Sequence, residues 1–238
     1  QFATAELGYL LSELGRGRES RAWFEESLSL ARTLYGDDDD DVLDLLTQLS
    51  RVFSIAGDYP RALKFRNEVL ELSQRKFAKD NLKIGFAHHD VAVSLLSIGD
   101  TKQAESHFAA AIRIFEKQSP TATESIGLAQ LDLSDIYTQT KNFAKAAETI
   151  ETALTHLRNR PDYEVEVADA LAALSFVLGR QGNQEPAVGH AREALRIYQR
   201  VLGENHADVT LKKQALSLHY SRKEISKSLC NFTVTLCG

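Results

Sequence analysis

V-F-S-I-A-G-D-Y, residues Val52 to Tyr59, decides how the chain is read. An apolar run ends in a glycine, and a polar residue then opens the next run. L-L-S-E-L-G-R-G at Leu10–Gly17 has the same outline, as does L-L-S-I-G-D-T at Leu95–Thr101. The turn residues Gly15, Gly57, Gly99, Lys141 and Gly182 follow one another at spacings of 42, 42, 42 and 41. Each stands between two stretches with helical apolar periodicity, which predicts a helical hairpin repeated along the chain.

With that turn residue counted as position 15, the columns agree. Position 7 holds Leu7, Leu49, Val91, Leu133, Leu174 and Leu216. Position 8 is small in Gly8, Ser50, Ala92, Ser134, Ser175 and Ser217, and position 11 is large in Leu11, Phe53, Leu95, Tyr137, Leu178 and Tyr220. Positions 7 and 11 are one helical turn apart and share a face. A small residue beside them lets a neighbouring helix come close while the large ones fill the flanks. The second helix mirrors this. Position 20 holds Ser20, Ala62, Ala104, Ala146 and Ala187; position 27 holds Ser27, Val69, Ala111, Ala153 and Ala194. The aliphatic Leu28, Leu70, Ile112, Leu154 and Leu195 follow at position 28.

These columns resemble the tetratricopeptide repeat, whose common unit is about 34 residues. The longer unit here adds roughly one turn to each helix and is similar to the kinesin light chain type. A-L-R-I-Y-Q-R-V-L-G-E-N-H-A-D-V, Ala194–Val209, carries that likeness, although His206-Ala207 stands where the family usually has His-Pro. The resemblance implies an all-α, right-handed α-solenoid of about five hairpins, over residues 1–42, 43–84, 85–126, 127–167 and 168–207. A terminal capping helix over 208–225 and an irregular tail over 226–238 are expected to follow. The first repeat starts at its own position 1, so an upstream segment is expected to be missing.

Composition fits this reading. The chain has 238 residues, 43% hydrophobic and 26% charged, an ordinary globular balance. A net charge of −5 argues against nucleic acid, whose partners carry a basic footprint. No apolar run is long enough to span a membrane and no signal pattern is visible, so an intracellular, soluble protein is expected. The two cysteines, Cys230 and Cys237, form neither a disulfide framework nor a zinc signature. Asn231-Phe232-Thr233 matches the glycosylation acceptor pattern and is taken as chance.

Catalytic signatures are missing: no phosphate loop, no H-E-x-x-H and no nucleophile elbow. Of the seven histidines, only His88 and His89 are adjacent. Their side chains diverge by about 100° on a helix, so no shared metal is expected. His107, His156 and His190 suggest no cluster, and Glu25-Glu26 reads as an exposed helix face. The run Asp37–Asp41 is placed by the register at a repeat boundary. Asp41, like Asp208, is expected to cap the next helix, and the other four to form a solvated turn. The spacing of an EF-hand is absent. No enzyme, cofactor or metal is expected.

The resemblance places the functional face on the first helices, at positions 2, 5, 9, 12 and 13, lining a concave groove. In this chain the stripe includes Tyr9, Arg51, Ile55, Phe86, His89, Val93, Leu96, Leu128, Leu131, Asp135, Phe176 and Arg180. Phe86, Val93, Leu96, Leu128 and Leu131 make its centre apolar. Two readings stand: a binding patch, or side chains rotated into the core between repeats. The asparagines of the kinesin light chain groove are not present. Position 6 reads Glu6, Gln48, Asp90, Asp132 and Ala173. A partner's amphipathic helix is therefore the expected occupant, rather than an extended peptide held by its backbone. The expectation is a non-catalytic scaffold or adaptor. The alternative is a structural subunit acting through self-association or docking in a larger complex.

Overall fold

The computed structural model describes residues 2–203 together with 209 and 210; side chains are described from Ala3 onward. The expected capping helix from Asp208, the Cys230/Cys237 tail and the sixth-repeat residues Leu216, Ser217 and Tyr220 lie outside the described residues. The chain divides into two compact units, Gln1–Ala122 and the part from Thr123 on. The first holds α1 (Phe2–Glu13), α2 (Gly17–Tyr35), α3 (Asp40–Ile55), α4 (Tyr59–Lys76), α5 (Leu82–Ser97) and α6 (Thr101–Lys117). The second holds α7 (Thr123–Gln139), α8 (Phe143–Leu157), a 3-10 turn at Pro161–Tyr163, α9 (Glu164–Arg180) and α10 (Gln184–Leu202). Consecutive helices pair as hairpins, and within each unit the second helix of one hairpin packs on the first helix of the next. No strand occurs among the described residues. The fold class is all-α, of the helical-hairpin solenoid kind.

The small columns explain the hairpin seam. Ser20, Ala62, Ala104, Ala146 and Ala187 are all fully buried, as are Ala92, Ser134 and Ser175 opposite them. The hydroxyls there are satisfied locally: Ser20 Oγ donates to the Gly8 carbonyl at 2.8 Å and Ser134 Oγ to the Leu131 carbonyl at 2.6 Å. Between hairpins the contact is made by larger apolar side chains. Phe24, Leu28 and Ala31 of α2 meet Val42, Leu45, Leu46, Leu49 and Val52 of α3 in one buried cluster. Where the second helix brings a large residue to position 31, the first helix yields space at position 1. A Cβ on Gly85 would stand 2.6 Å from the Phe115 ring, and one on Gly127 2.7 Å from Leu157 Cγ.

The turn column has a backbone cause. Gly15, Gly57, Gly99, Lys141 and Gly182 all have φ between 60° and 88°. In each hairpin the next residue's N–H reaches back to the position 11 carbonyl, as from Asp58 to Phe53 at 2.9 Å and Asn142 to Tyr137 at 2.8 Å. This is the left-handed termination that favours glycine. Lys141 adopts it as a side-chain-bearing residue, at φ 60°. Asp58, Asp100 and Asn142 then cap the following helix by accepting from the N–H three residues on.

The acidic run departs from expectation in two ways. The cap of α3 is Asp39, whose carboxylate accepts from the Asp41 N–H at 2.9 Å, and Asp41 lies inside the first turn. The helix thus starts earlier than the register with Asp208 implied. The remaining aspartates are not simply solvated. Asp37 pairs with Arg32 at 3.1 Å, Asp38 with Arg75 at 2.7 Å, and Asp40 with Lys76 at 2.6 Å. Arg75 and Lys76 end α4, so the turn before α3 is tied to the far end of the same hairpin. The pattern recurs with the repeat. Lys117 binds Asp80 at 2.7 Å, and Arg160 binds Glu124 at 2.8 Å. These pairs are exposed, so each contributes only about 0–1 kcal/mol.

Candidate protein-interaction face

The stripe at positions 2, 5, 9, 12 and 13 points away from the seam. Every one of its side-chain-described residues is half-buried or exposed; none belongs to the core. On α1, Tyr9 rests edge-on against Phe24, with ring centroids 5.1 Å apart, and its hydroxyl donates to the carboxylate of Asp44 on α3. Burial first, and then the Asp44 carboxylate, push the phenol's pKa up. Arg51 is exposed beside this pair and Ile55 is 78% exposed.

On α5, Phe86 is 48% exposed and lies over Phe115, with centroids 5.1 Å apart. Gly85 admits that support, because any side chain there would collide with Phe115. His89 meets Phe108 edge-on at 5.5 Å, and Val93 and Leu96 are half-buried on the same face. The first unit therefore presents apolar side chains on this stripe, with Ile55 and Phe86 the most open of them.

In the second unit, Leu128 and Leu131 of α7 are half-buried, and Asp135 follows one turn later. Asp135 is open to solvent at its edge yet crowded by protein. Loss of hydration pushes its carboxyl up to about 6, and the nearby Asp132 adds to the shift. Phe176 of α9 is half-buried, and the Arg180 guanidinium lies over the Phe143 ring at 5.6 Å. Asp169 accepts from the Tyr198 hydroxyl at 2.5 Å, which fixes the base of α9 against α10.

Two arrangements were not foreseen. His88 and His107 meet across the α5–α6 hairpin, Nδ1 to Nδ1 at 3.0 Å. Position 4 of a first helix faces position 23 of its antiparallel partner, which adjacency in sequence hides. Burial, with His107 and Arg113 nearby, holds His88 down at about 4, so the pair is two neutral rings sharing one hydrogen bond. No group of three or more His, Cys, Asp or Glu that could hold a metal occurs among the described residues. The second is Arg66, at position 24, where the other repeats carry Phe24, Phe108, Ile150 and Ala191. Its Nη1 donates to the Asp90 carbonyl and to Ser94 Oγ, both at 2.8 Å, inside the α4–α5 contact. The break in that column was the available signal.

Two sequence profiles of the tetratricopeptide repeat match this chain, one over residues 1–74 and 55–117, the other over 167–208. The chain belongs to the tetratricopeptide repeat family. The fold of this family serves in general as a protein-interaction scaffold and is typically non-catalytic. Among solved structures, the chain is similar to apo RapI, with a TM-score of 0.81 at 14% identity over 99% of this chain and 83% of that one. It is also similar to BtubC (BKLC) from P. vanneervenii, with a TM-score of 0.73 at 18% identity over 84% of this chain and 80% of that one. A kinesin light chain-like repeat protein of Podospora anserina gives a TM-score of 0.71 at 14% identity, covering 84% of this chain and 95% of that one. At these identities the likeness is one of fold. A curated relative, the clustered mitochondria protein homolog of Culex quinquefasciatus, is 22% identical over 191 residues. That match takes in 74% of this tetratricopeptide chain but only 13% of the relative's length. No described helix is long and apolar enough to cross a membrane.

Proposed function

We propose that this chain is a non-catalytic protein-interaction module whose first-helix faces take a partner's peptide or amphipathic helix. One observation carries the reading. The stripe that the repeat leaves outside its core is not merely polar: it offers Phe86 and Ile55 to solvent, with Val93, Leu96, Leu128 and Leu131 half-open. Exposed apolar surface of this kind is costly to keep without a use. Arg51 in the first unit, and Asp135 and Arg180 in the second, supply charges that set the register of a partner on each face. Apolar anchors at i, i+3/i+4 and i+7 of an amphipathic helix match such a face.

Selection of a random-peptide display library on the full chain tests this. Enriched peptides should carry helically spaced apolar residues. Phe86→Ala and Val93→Ala, both on α5, should each weaken such peptides about tenfold, or about 1.4 kcal/mol, with the thermal melt preserved. A selection in which every enriched peptide is indifferent to both substitutions refutes the reading.

A further inference from the structure

A separate cleft opens on the turn edge of the first unit, between the α1–α2 turn and the end of α3. It encloses about 410 Å³ and is lined by Gly15, Gly17, Arg18, Arg21, Val52 and Ile55, among others. One side chain is missing from its lining. Position 17 is Tyr59, Thr101, Phe143 and Gln184 in the later hairpins, and Gly17 in the first. Gly17 has an ordinary negative φ, and nothing lies within 4 Å of where its Cβ would stand. Neither conformation nor crowding therefore requires a glycine there.

The charges around the cleft are unbalanced. Arg16 is neutralised by Glu19 at 2.6 Å, and the carboxylate of Asp58 is taken by Arg61, also at 2.6 Å. Arg21 donates from Nε to the Gly17 carbonyl at 3.3 Å, and its guanidinium lies over the Phe53 ring at 5.3 Å. Arg18 is exposed. Among the described residues no carboxylate pairs with either Arg18 or Arg21. Beside these two cations stands Ile55, the most exposed large apolar side chain among the described residues. Its neighbour in the lining, Val52, is buried and makes the wall apolar.

We infer that this cleft docks an acidic segment of a partner protein, an Asp or Glu side chain seating between Arg18 and Arg21 while an adjacent aliphatic side chain covers Ile55. Arg guanidinium groups favour carboxylates through paired, charge-assisted hydrogen bonds. The absence of side chains at Gly15 and Gly17 lets the partner's main chain approach. The site lies apart from the Phe86 face, with Ile55 common to both, so the decisive substitutions are at Arg18 and Gly17.

The display selection described above, repeated with variants, is the test. Peptides that use the cleft should carry an acidic residue next to an aliphatic one and should weaken with added salt. Arg18→Glu should weaken them at least tenfold. Gly17→Tyr, which places there the residue type of the second hairpin, should block them while the circular dichroism melt is kept. Phe86→Ala should leave them unchanged. The inference is overturned if no acidic peptide is enriched, or if every enriched acidic peptide ignores both Arg18→Glu and Gly17→Tyr. A selection whose peptides are all lost with Phe86→Ala and none with the cleft variants would overturn it while leaving the first-helix reading intact. A selection whose peptides all answer to the cleft variants and none to Phe86→Ala would sustain the cleft and refute that reading.

Discussion

Phe53 and Phe86 sit on the first helices of neighbouring hairpins and meet opposite surroundings. Phe53, at position 11, is fully buried, stacked on Phe65 at 5.5 Å and overlaid by the guanidinium of Arg61 at 4.8 Å. Phe86, at position 2, is half-exposed, with Phe115 as its ring partner. The same side chain closes the repeat in one place and is left open in the other. Position within the repeat, not residue type, separates what holds the fold from what is offered to a partner. The seam is filled by similar residues in every hairpin. The outward stripe changes from Tyr9 to Arg51 to Val93 to Asp135 to Phe176 down position 9. Nothing in the packing forces it to stay the same.

Truncation should break the pair apart most clearly. Phe53→Ala removes a fully packed ring and should cost about 3–5 kcal/mol in urea unfolding. Phe86→Ala removes a half-open one and should cost roughly 1 kcal/mol or less. Equal losses would mean that position 2 is structural after all. A smaller effect is expected at the turns. Among the described residues Lys141 alone bears a side chain in the left-handed turn conformation, so Lys141→Gly should stabilise by about 1 kcal/mol.

The smallest effect is a pH-dependent one at Asp135. Its carboxyl is raised to about 6 from an ordinary 3.8, so the folded state holds the proton more tightly than the unfolded state. The stability this supplies is complete below about pH 3.8 and lost as pH rises through about 6. Asp135→Asn should therefore raise the melting temperature at pH 7, by no more than about 2 °C given solvent screening. That advantage should vanish below pH 4. His88 acts in the opposite sense: its contribution is present above pH 6.5 and lost as pH falls toward about 4. A gain from Asp135→Asn that is independent of pH would contradict the assignment.

The hairpins were legible in the sequence because close helix packing demands small residues at fixed intervals, and positions 8 and 20, with position 27 except at Val69, supply them. The turn glycines were legible for the same reason, since a positive φ admits few residues. The cap of α3 was not. Five consecutive aspartates offer several equivalent caps, and the choice of Asp39 is bound up with Arg75 and Lys76 at the far end of α4. The His88–His107 contact depends on which faces meet across an antiparallel hairpin, which adjacency in sequence does not record. The candidate face was legible as a stripe of positions. Its support was not: that Phe86 rests on Phe115 requires Gly85, and that relation appears only when the two helices are brought together.

The central claim is that the outward first-helix face binds protein while the seam only holds the fold. The most direct measurement is fluorescence-anisotropy titration of a library-selected peptide with helically spaced apolar residues against the native chain, Phe86→Ala, and the Phe86→Ala/Val93→Ala double variant, alongside their thermal melts. The account predicts that affinity falls by about tenfold and then further, while the melts stay close to native. Unchanged affinity in the double variant, with its fold intact, would contradict it.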